Sequence, residues 1–232
     1  MTEDLMRRQL DRIRNAYDLT VEQYRRGINP YDDVPADIKE SAFYKSLMKE
    51  SNALGSGAPN IKEYLSPEPG MRFLDAGCSA NLVNYRLDRW PSGYYGVDVS
   101  PALIDAMNGF VIQEDISIGG LYVADIADMP FKDGFFDIAA VIGVLEYGTL
   151  DYIVKALGEL NRVCKPGAGV VLDIPNKNHP HAKDMMKLEK YLGRPNYHHA
   201  RIDFEKLLAP LFSIERLDDS RVMMKYFLRT LK

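Results

Sequence analysis

The stretch MRFLDAGCSAN (residues 71–81) decides the fold class of this chain. An apolar run breaks into Asp75-Ala76-Gly77-Cys78-Ser79, which reads as a buried strand delivering a tight turn of small residues. Gly77 has no Cβ, so the backbone there is free to take unusual dihedrals and a ligand can approach it closely. The next apolar run, YYGVDVS (94–100), places Asp98 23 residues after Asp75, about one strand–helix–strand unit on. An acidic side chain at that place accepts hydrogen bonds from both hydroxyls of a ribose. Together the two runs describe a nucleoside-binding α/β sheet.

The turn also selects among nucleosides. A nicotinamide or flavin site wants G-x-G-x-x-G to cradle a pyrophosphate at a helix start. Here a single glycine, Gly77, stands where three are needed, and no Lys-Ser/Thr pair follows to make a phosphate loop. A ligand with adenosine but no phosphate removes that demand. S-adenosylmethionine is such a ligand.

Outward from this turn the pattern alternates strand and helix, the signature of a parallel sheet covered on both faces. The spacing predicts strands near 71–76, 94–99, 120–125, 136–143 and 168–174, with helices near 81–89, 101–108, 150–163 and 201–211. Lys165-Pro166-Gly167 stops the third of those helices. The segment 212–231 holds two β-like runs joined by Asp218-Asp219-Ser220, a hairpin by pattern.

Four segments in order, FLDAGCSAN (73–81), YYGVDVSPALI (94–104), VADIADMPFKDGFFDIAAVIGVLEY (123–147) and ALGELNRVCKPGAGVVLDIPN (156–176), resemble a class I S-adenosylmethionine-dependent methyltransferase of the small-molecule subgroup. The resemblance implies a doubly wound, mostly parallel seven-stranded sheet closed by a C-terminal antiparallel edge hairpin. It implies that Asp75, Gly77, Ser79 and Asn81 line the methionine and sugar side of the cofactor, with Ser79 and Asn81 in the second and third glycine positions of the family loop. Asn81 is the residue of that pair expected to tolerate left-handed backbone and to cap a helix. By the same resemblance Asp98 holds the ribose, Val99 packs on the adenine, and Asp125 accepts from the adenine amino group with Ile126 offering its backbone. Ile142 and Gly143 lie beneath the methionine arm. Glu146 and Tyr147 occupy the place where the family often sets a substrate-facing polar group, and they are the catalytic candidates.

Residues 1–68 read as an N-terminal helical extension and 69–232 as the Rossmann-like domain. Met6, Leu10, Ile13, Tyr17, Val21 and Tyr24 fall on one side of an amphipathic helix, or two, over 1–26. Their simplest role is packing on the domain. The resemblance to N-terminal lid helices adds that Tyr17 or Tyr24 caps the cofactor or acceptor. Residues 27–35 read as a loop, 36–54 as a helix, 55–60 as a flexible break, and 61–67 as the lead into the sheet. The long connection 176–200 contains all four histidines and is the candidate cap, with His179 and His181 as possible substrate-facing groups. No Cys or carboxylate cluster completes a metal set around them, so no metal is expected.

A net charge of −4 weighs against an enzyme that grips a long track of phosphates, so a small-molecule substrate is expected and nucleic acid is not. Two cysteines give no disulfide framework, no run is long enough for a membrane span, and the charged N-terminus is not a secretory signal, which points to the cytoplasm. Two rivals stand beside the small-molecule enzyme. A non-catalytic module that binds S-adenosylmethionine or S-adenosylhomocysteine is motivated by the missing glycines. A macromolecule methyltransferase lacks its usual Asn/Asp-Pro-Pro-aromatic signature, since IGVLEY stands there.

Overall fold

The computed structural model describes residues 3–51, 58–194 and 196–231. Seven strands form one sheet: β1 Arg72–Ala76, β2 Gly93–Asp98, β3 Gly120–Val123, β4 Phe136–Val141, β5 Cys164–Pro175, β6 Phe212–Asp218 and β7 Met223–Thr230. Their order is β3-β2-β1-β4-β5-β7-β6. The first five run parallel, while β7 is antiparallel to both β5 and β6. This is the doubly wound sheet with the antiparallel edge pair that the sequence predicts.

Nine helices accompany the sheet among the described residues: α1 Glu3–Arg25, α2 Ala36–Lys39, α3 Ala42–Ser51, α4 Pro59–Leu65, α5 Asn81–Tyr85, α6 Pro101–Gln113, α7 Leu150–Val163, α8 Ala182–Tyr191 and α9 Arg201–Leu208. Local chemistry starts two of them. The Ser100 hydroxyl accepts the Leu103 N–H ahead of Pro101, and the Thr149 hydroxyl accepts the Tyr152 N–H.

Alternation along the strands divides the core. On β1, Leu74 turns to a cluster with Val97, Phe136, Leu157 and Phe204, under α7 and α9. Phe73, its neighbour, turns to the other face, among Ile61, Leu82, Trp90, Ile138 and Phe227. Both residues are buried, as the central strand of a two-sided sheet requires. A third cluster, with Ile38, Phe43, Met185 and Leu188, joins α2 and α3 to α8.

Several elements differ from the sequence reading. The N-terminal stripe is one helix, α1. The segment 36–54 splits at Glu40–Ser41; residues 52–57, with half of the expected flexible break 55–60, lie outside the described residues, and Pro59 and Asn60 of that break begin α4. Residues 61–67 are mostly the helix α4, because Ile61 and Leu65, four apart, bury one face against the sheet. The connection 176–200 contains α8, whose Met185 and Leu188 find an apolar face on α3 that no local pattern announces. No helix among the described residues is long and apolar enough to cross a membrane.

Candidate functional site

At the C-terminal edge of β1, β2 and β4 lies a cavity of about 230 Å³, walled on the far side by α1. Its sheet side comes from four connections. Gly77, Ser79 and Asn81 follow β1; Asp98 and Val99 end β2; Asp125 and Ile126 follow β3; Ile142 and Gly143 follow β4. The structure thus brings nine of the expected cofactor residues to one cavity.

Backbone geometry builds the first turn. The N–H groups of Gly77 and Cys78 both donate to the Val97 carbonyl, at 2.7 and 2.8 Å, which pins the turn to β2. Gly77 takes φ +77, and a Cβ there would lie 2.2 Å from Val144 Cγ2. The left-handed conformation after it belongs to Ser79, at φ 41, and not to Asn81. Asn81 instead opens α5 and gives its side-chain amide to Asp75 Oδ1 at 3.3 Å.

Asp98 is fixed by two backbone donors, Ser79 N–H on Oδ2 and Ser100 N–H on Oδ1, each at 2.9 Å. A carboxylate has about four lone-pair sites, so acceptor capacity remains for two hydroxyls. Burial raises its pKa, and the two N–H bonds oppose that rise. Asp125 Oδ1 receives the Ala127 N–H at 2.9 Å and the Tyr152 hydroxyl at 2.6 Å. Tyr152 lines the cavity too, a residue that sequence reasoning passed over.

Asp75 stands apart from this cavity. It is buried beneath the turn, accepts the Tyr94 hydroxyl at 2.9 Å, and burial pushes its pKa up to about 7. It therefore braces the loop through Asn81.

The catalytic candidates lie side by side with different exposure to the cavity. Tyr147 is on its wall. Glu146 is buried behind Gly143, where a Cβ would sit 3.8 Å from Glu146 Oε1, and its Oε2 has no hydrogen-bond partner. Burial and then the charge of Asp173 hold the Glu146 carboxyl well above the usual range, and burial pushes Asp173 up to about 6.

The stripe on α1 supplies the lid-side wall: Met6, Leu10, Ile13 and Tyr17 all line the cavity. Asp18 anchors this helix, accepting from the Ser100 hydroxyl at the start of α6, and Arg25 reaches Asp105 at 2.6 Å. Tyr24 does not join them: it is 52% exposed and donates to Asn29 Oδ1. His179 and His181 are also elsewhere. The His181 N–H donates to His179 Nδ1, and the His181 ring lies against Phe43 of α3, away from the cavity lining. Buried Arg194 and Glu189, paired at 3.2 Å behind Tyr147, gave no sequence signal, since their meeting depends on how α8 folds back.

Residues 74–172 match a family described as a methyltransferase domain. The chain carries a methyltransferase domain over these residues. The chain is 28% identical over 183 residues to a sterol 4-C-methyltransferase of Caenorhabditis elegans, a match covering 74% of this chain and 54% of that protein. It is 34% identical over 119 residues to a tRNA (carboxymethyluridine(34)-5-O)-methyltransferase of Arabidopsis thaliana, covering 50% and 27%. The chain thus spans about half the length of the first relative and about a quarter of the second. In fold it is similar to magnesium protoporphyrin IX methyltransferase from Synechocystis PCC 6803, solved with S-adenosylmethionine, with TM-score 0.65, 16% identity, and 96% and 97% of the two chains covered. The cavity fits S-adenosylmethionine chemically. It offers a doubly anchored carboxylate for a ribose, apolar flanks at Val99 and Ile126 for a purine, and no phosphate cradle.

Proposed function

We propose that this chain transfers a methyl group from S-adenosylmethionine to a small-molecule acceptor. The convergence of nine cofactor candidates on one cavity roofed by α1 carries the reading. Asp98 holds the ribose, Val99 and Ile126 flank the adenine, Asp125 accepts from its amino group, and Gly77 and Gly143 let the main chain approach the methionine arm. When bound, the cofactor supplies a methyl carbon whose bond to sulfur breaks onto the sulfur as the acceptor attacks. The protein's part is alignment and exclusion of water. Leu10, Ile13 and Tyr17 provide the dry roof. The two cysteines, buried and unbridged, suit a reducing compartment such as the cytoplasm.

A small acceptor is favoured by the apolar roof and by the net charge of −4. The identity shared with a tRNA methyltransferase supports RNA as the second reading. Calorimetric titration with S-adenosylmethionine and S-adenosylhomocysteine tests the foundation: both should bind at about micromolar Kd, near −8 kcal/mol. Absence of binding by either refutes methyl transfer. Binding of both without turnover on any metabolite extract, or turnover on RNA alone, moves the assignment to a non-catalytic module or to the RNA reading.

A further inference from the structure

The Asp125 carboxylate is held from two sides on a single oxygen. Its Oδ1 accepts the Ala127 N–H at 2.9 Å and the Tyr152 hydroxyl at 2.6 Å. The first bond is local, an aspartate side chain closing on the backbone two residues on. The second arrives from α7, 27 residues away in sequence. Each carboxylate oxygen has about two lone-pair sites, so these two donors fill Oδ1. That leaves Oδ2 as the acceptor for a ligand, and both Asp125 and Tyr152 line the cavity.

The residues before Tyr152 build a place for its ring. The Thr149 hydroxyl accepts the Tyr152 N–H at 3.4 Å, which fixes where α7 begins. Gly148, just before that cap, gives the ring its room: a Cβ there would lie 2.5 Å from Tyr152 Cδ1. The Gly148 φ of −97 is open to any residue, so the glycine supplies space and not backbone freedom. Its carbonyl accepts in turn from His199 Nε2 at 2.7 Å. Tyr152 is buried, and burial followed by the Asp125 charge holds its pKa well above the ordinary tyrosine value. The phenol therefore keeps its proton and faces Oδ1 as a donor.

We propose that Tyr152 is a positioning residue that makes the site selective for the 6-amino group of adenine. The proposal rests on the methyl-transfer reading above, in which Asp125 accepts from that group. By filling Oδ1, Tyr152 and Ala127 turn Oδ2 toward the base and stop the carboxylate from rotating. A fixed, charged acceptor gains a hydrogen bond from an amino group and nothing from a hydrogen atom in its place. Without the phenol only the local bond remains, and the half-buried carboxylate is free to turn toward water.

The full chain is titrated calorimetrically with S-adenosylhomocysteine and with its analogue that carries hydrogen in place of the adenine amino group. The unmodified protein should prefer S-adenosylhomocysteine by about ten- to a hundredfold, the value of one charge-assisted hydrogen bond. Tyr152→Phe removes one oxygen and keeps the ring. It should cut that ratio by about three- to tenfold, the cost of immobilising one side chain on binding. Affinity for the analogue should not change, because the analogue makes no bond to Asp125. Asp125→Asn should bring the ratio to about one or below, since the two donors hold the amide oxygen at the Oδ1 place and its NH2 meets the amino group. A merely structural role for Tyr152 would weaken both ligands alike and leave the parent's ratio, which overturns the proposal. So does an unmodified chain that binds both ligands equally, or an Asp125→Asn variant that keeps the preference; either result leaves cofactor binding itself standing. Failure of the unmodified chain to bind either ligand overturns the methyl-transfer reading and the Tyr152 assignment together.

Discussion

The hydroxyl of Tyr17 lies 3.2 Å from the hydroxyl of Tyr147, and Tyr147 donates its one proton to Glu189 Oε2 at 2.9 Å. Tyr17 is therefore the donor of the tyrosine pair. The chain of bonds runs from α1 through the turn after β4 to α8, where Arg194 neutralises Glu189. Burial pushes the Tyr17 pKa up to about 12, so its proton stays in place at any ordinary pH. The network clamps α1, the roof of the cavity, to α8.

Tyr147→Phe breaks this clamp at its centre. It leaves the buried Tyr17 hydroxyl without an acceptor and Glu189 without one donor, which should cost about 1–2 kcal/mol. Chemical denaturation of the variant against the parent measures it. A cost indistinguishable from zero would mean that α1 does not depend on this contact.

Asp98→Ala removes the proposed ribose acceptor and also strands the Ser79 and Ser100 N–H groups. Two hydrogen bonds to a charged group, each about 1.5–3 kcal/mol, imply at least about a hundredfold weaker S-adenosylhomocysteine binding. Calorimetry decides it. An unchanged Kd would take the ribose role away from Asp98.

Opposite effects are expected two residues apart. Ser79→Gly relieves a left-handed residue that carries a Cβ, at φ 41, and should raise stability by about 1 kcal/mol. Gly77→Ala adds a Cβ 2.2 Å from Val144 at φ +77 and should lower stability by about 1–3 kcal/mol while weakening the cofactor. Thermal unfolding of the two variants side by side checks the signs, and like signs would contradict the turn geometry.

Asp75 gives the free protein a pH dependence of definite sign. Its folded pKa, about 7, lies above the model-peptide value of 3.8, so the folded state holds the proton more tightly across that window. Stability is therefore retained below about pH 4 as far as this group is concerned, and is lost as pH rises from there toward 7. Asp75→Asn should flatten the slope of unfolding free energy against pH between those limits. A slope unaltered by the substitution would place the titration elsewhere, at Asp173 or Glu146.

The buried Glu146–Asp173 pair predicts a difference between substrate and product cofactor. A cation in the cavity favours ionised carboxyls nearby, whereas a neutral ligand does not. S-adenosylmethionine should therefore release more protons on binding at neutral pH than S-adenosylhomocysteine. Calorimetry in two buffers of different ionisation enthalpy counts them, and Glu146→Gln should shrink the difference. Equal proton counts for the two ligands would remove Glu146 from the charge balance of the site.

Much of this was legible in the residues because it is local. Gly77 and Asp98 terminate strands, and a strand end carries its own signature in an apolar run breaking into small or acidic residues. The alternation of strand and helix from 71 to 176 follows from periodicity, while the cofactor roles follow from the family resemblance of four segments within it. The wall residues of α1 were legible as a stripe but not as a wall: Met6 and Tyr17 have the same spacing whether they pack on a core or roof a ligand. His179 and His181 misled because chemistry-bearing side chains in a long connection look alike whatever they face, and here α8 turns them toward α3.

The sequence by itself determined the order of the strands and the strand ends at Gly77 and Asp98, because a strand end is marked by the residues next to it. Only the tertiary structure decided that Ser79 rather than Asn81 bears the left-handed conformation, that Glu189 and Arg194 meet behind Tyr147, and that the Tyr152 hydroxyl reaches Asp125. Each of these is set by surfaces brought together from distant parts of the chain. Packing of that kind depends on shapes that no local pattern encodes.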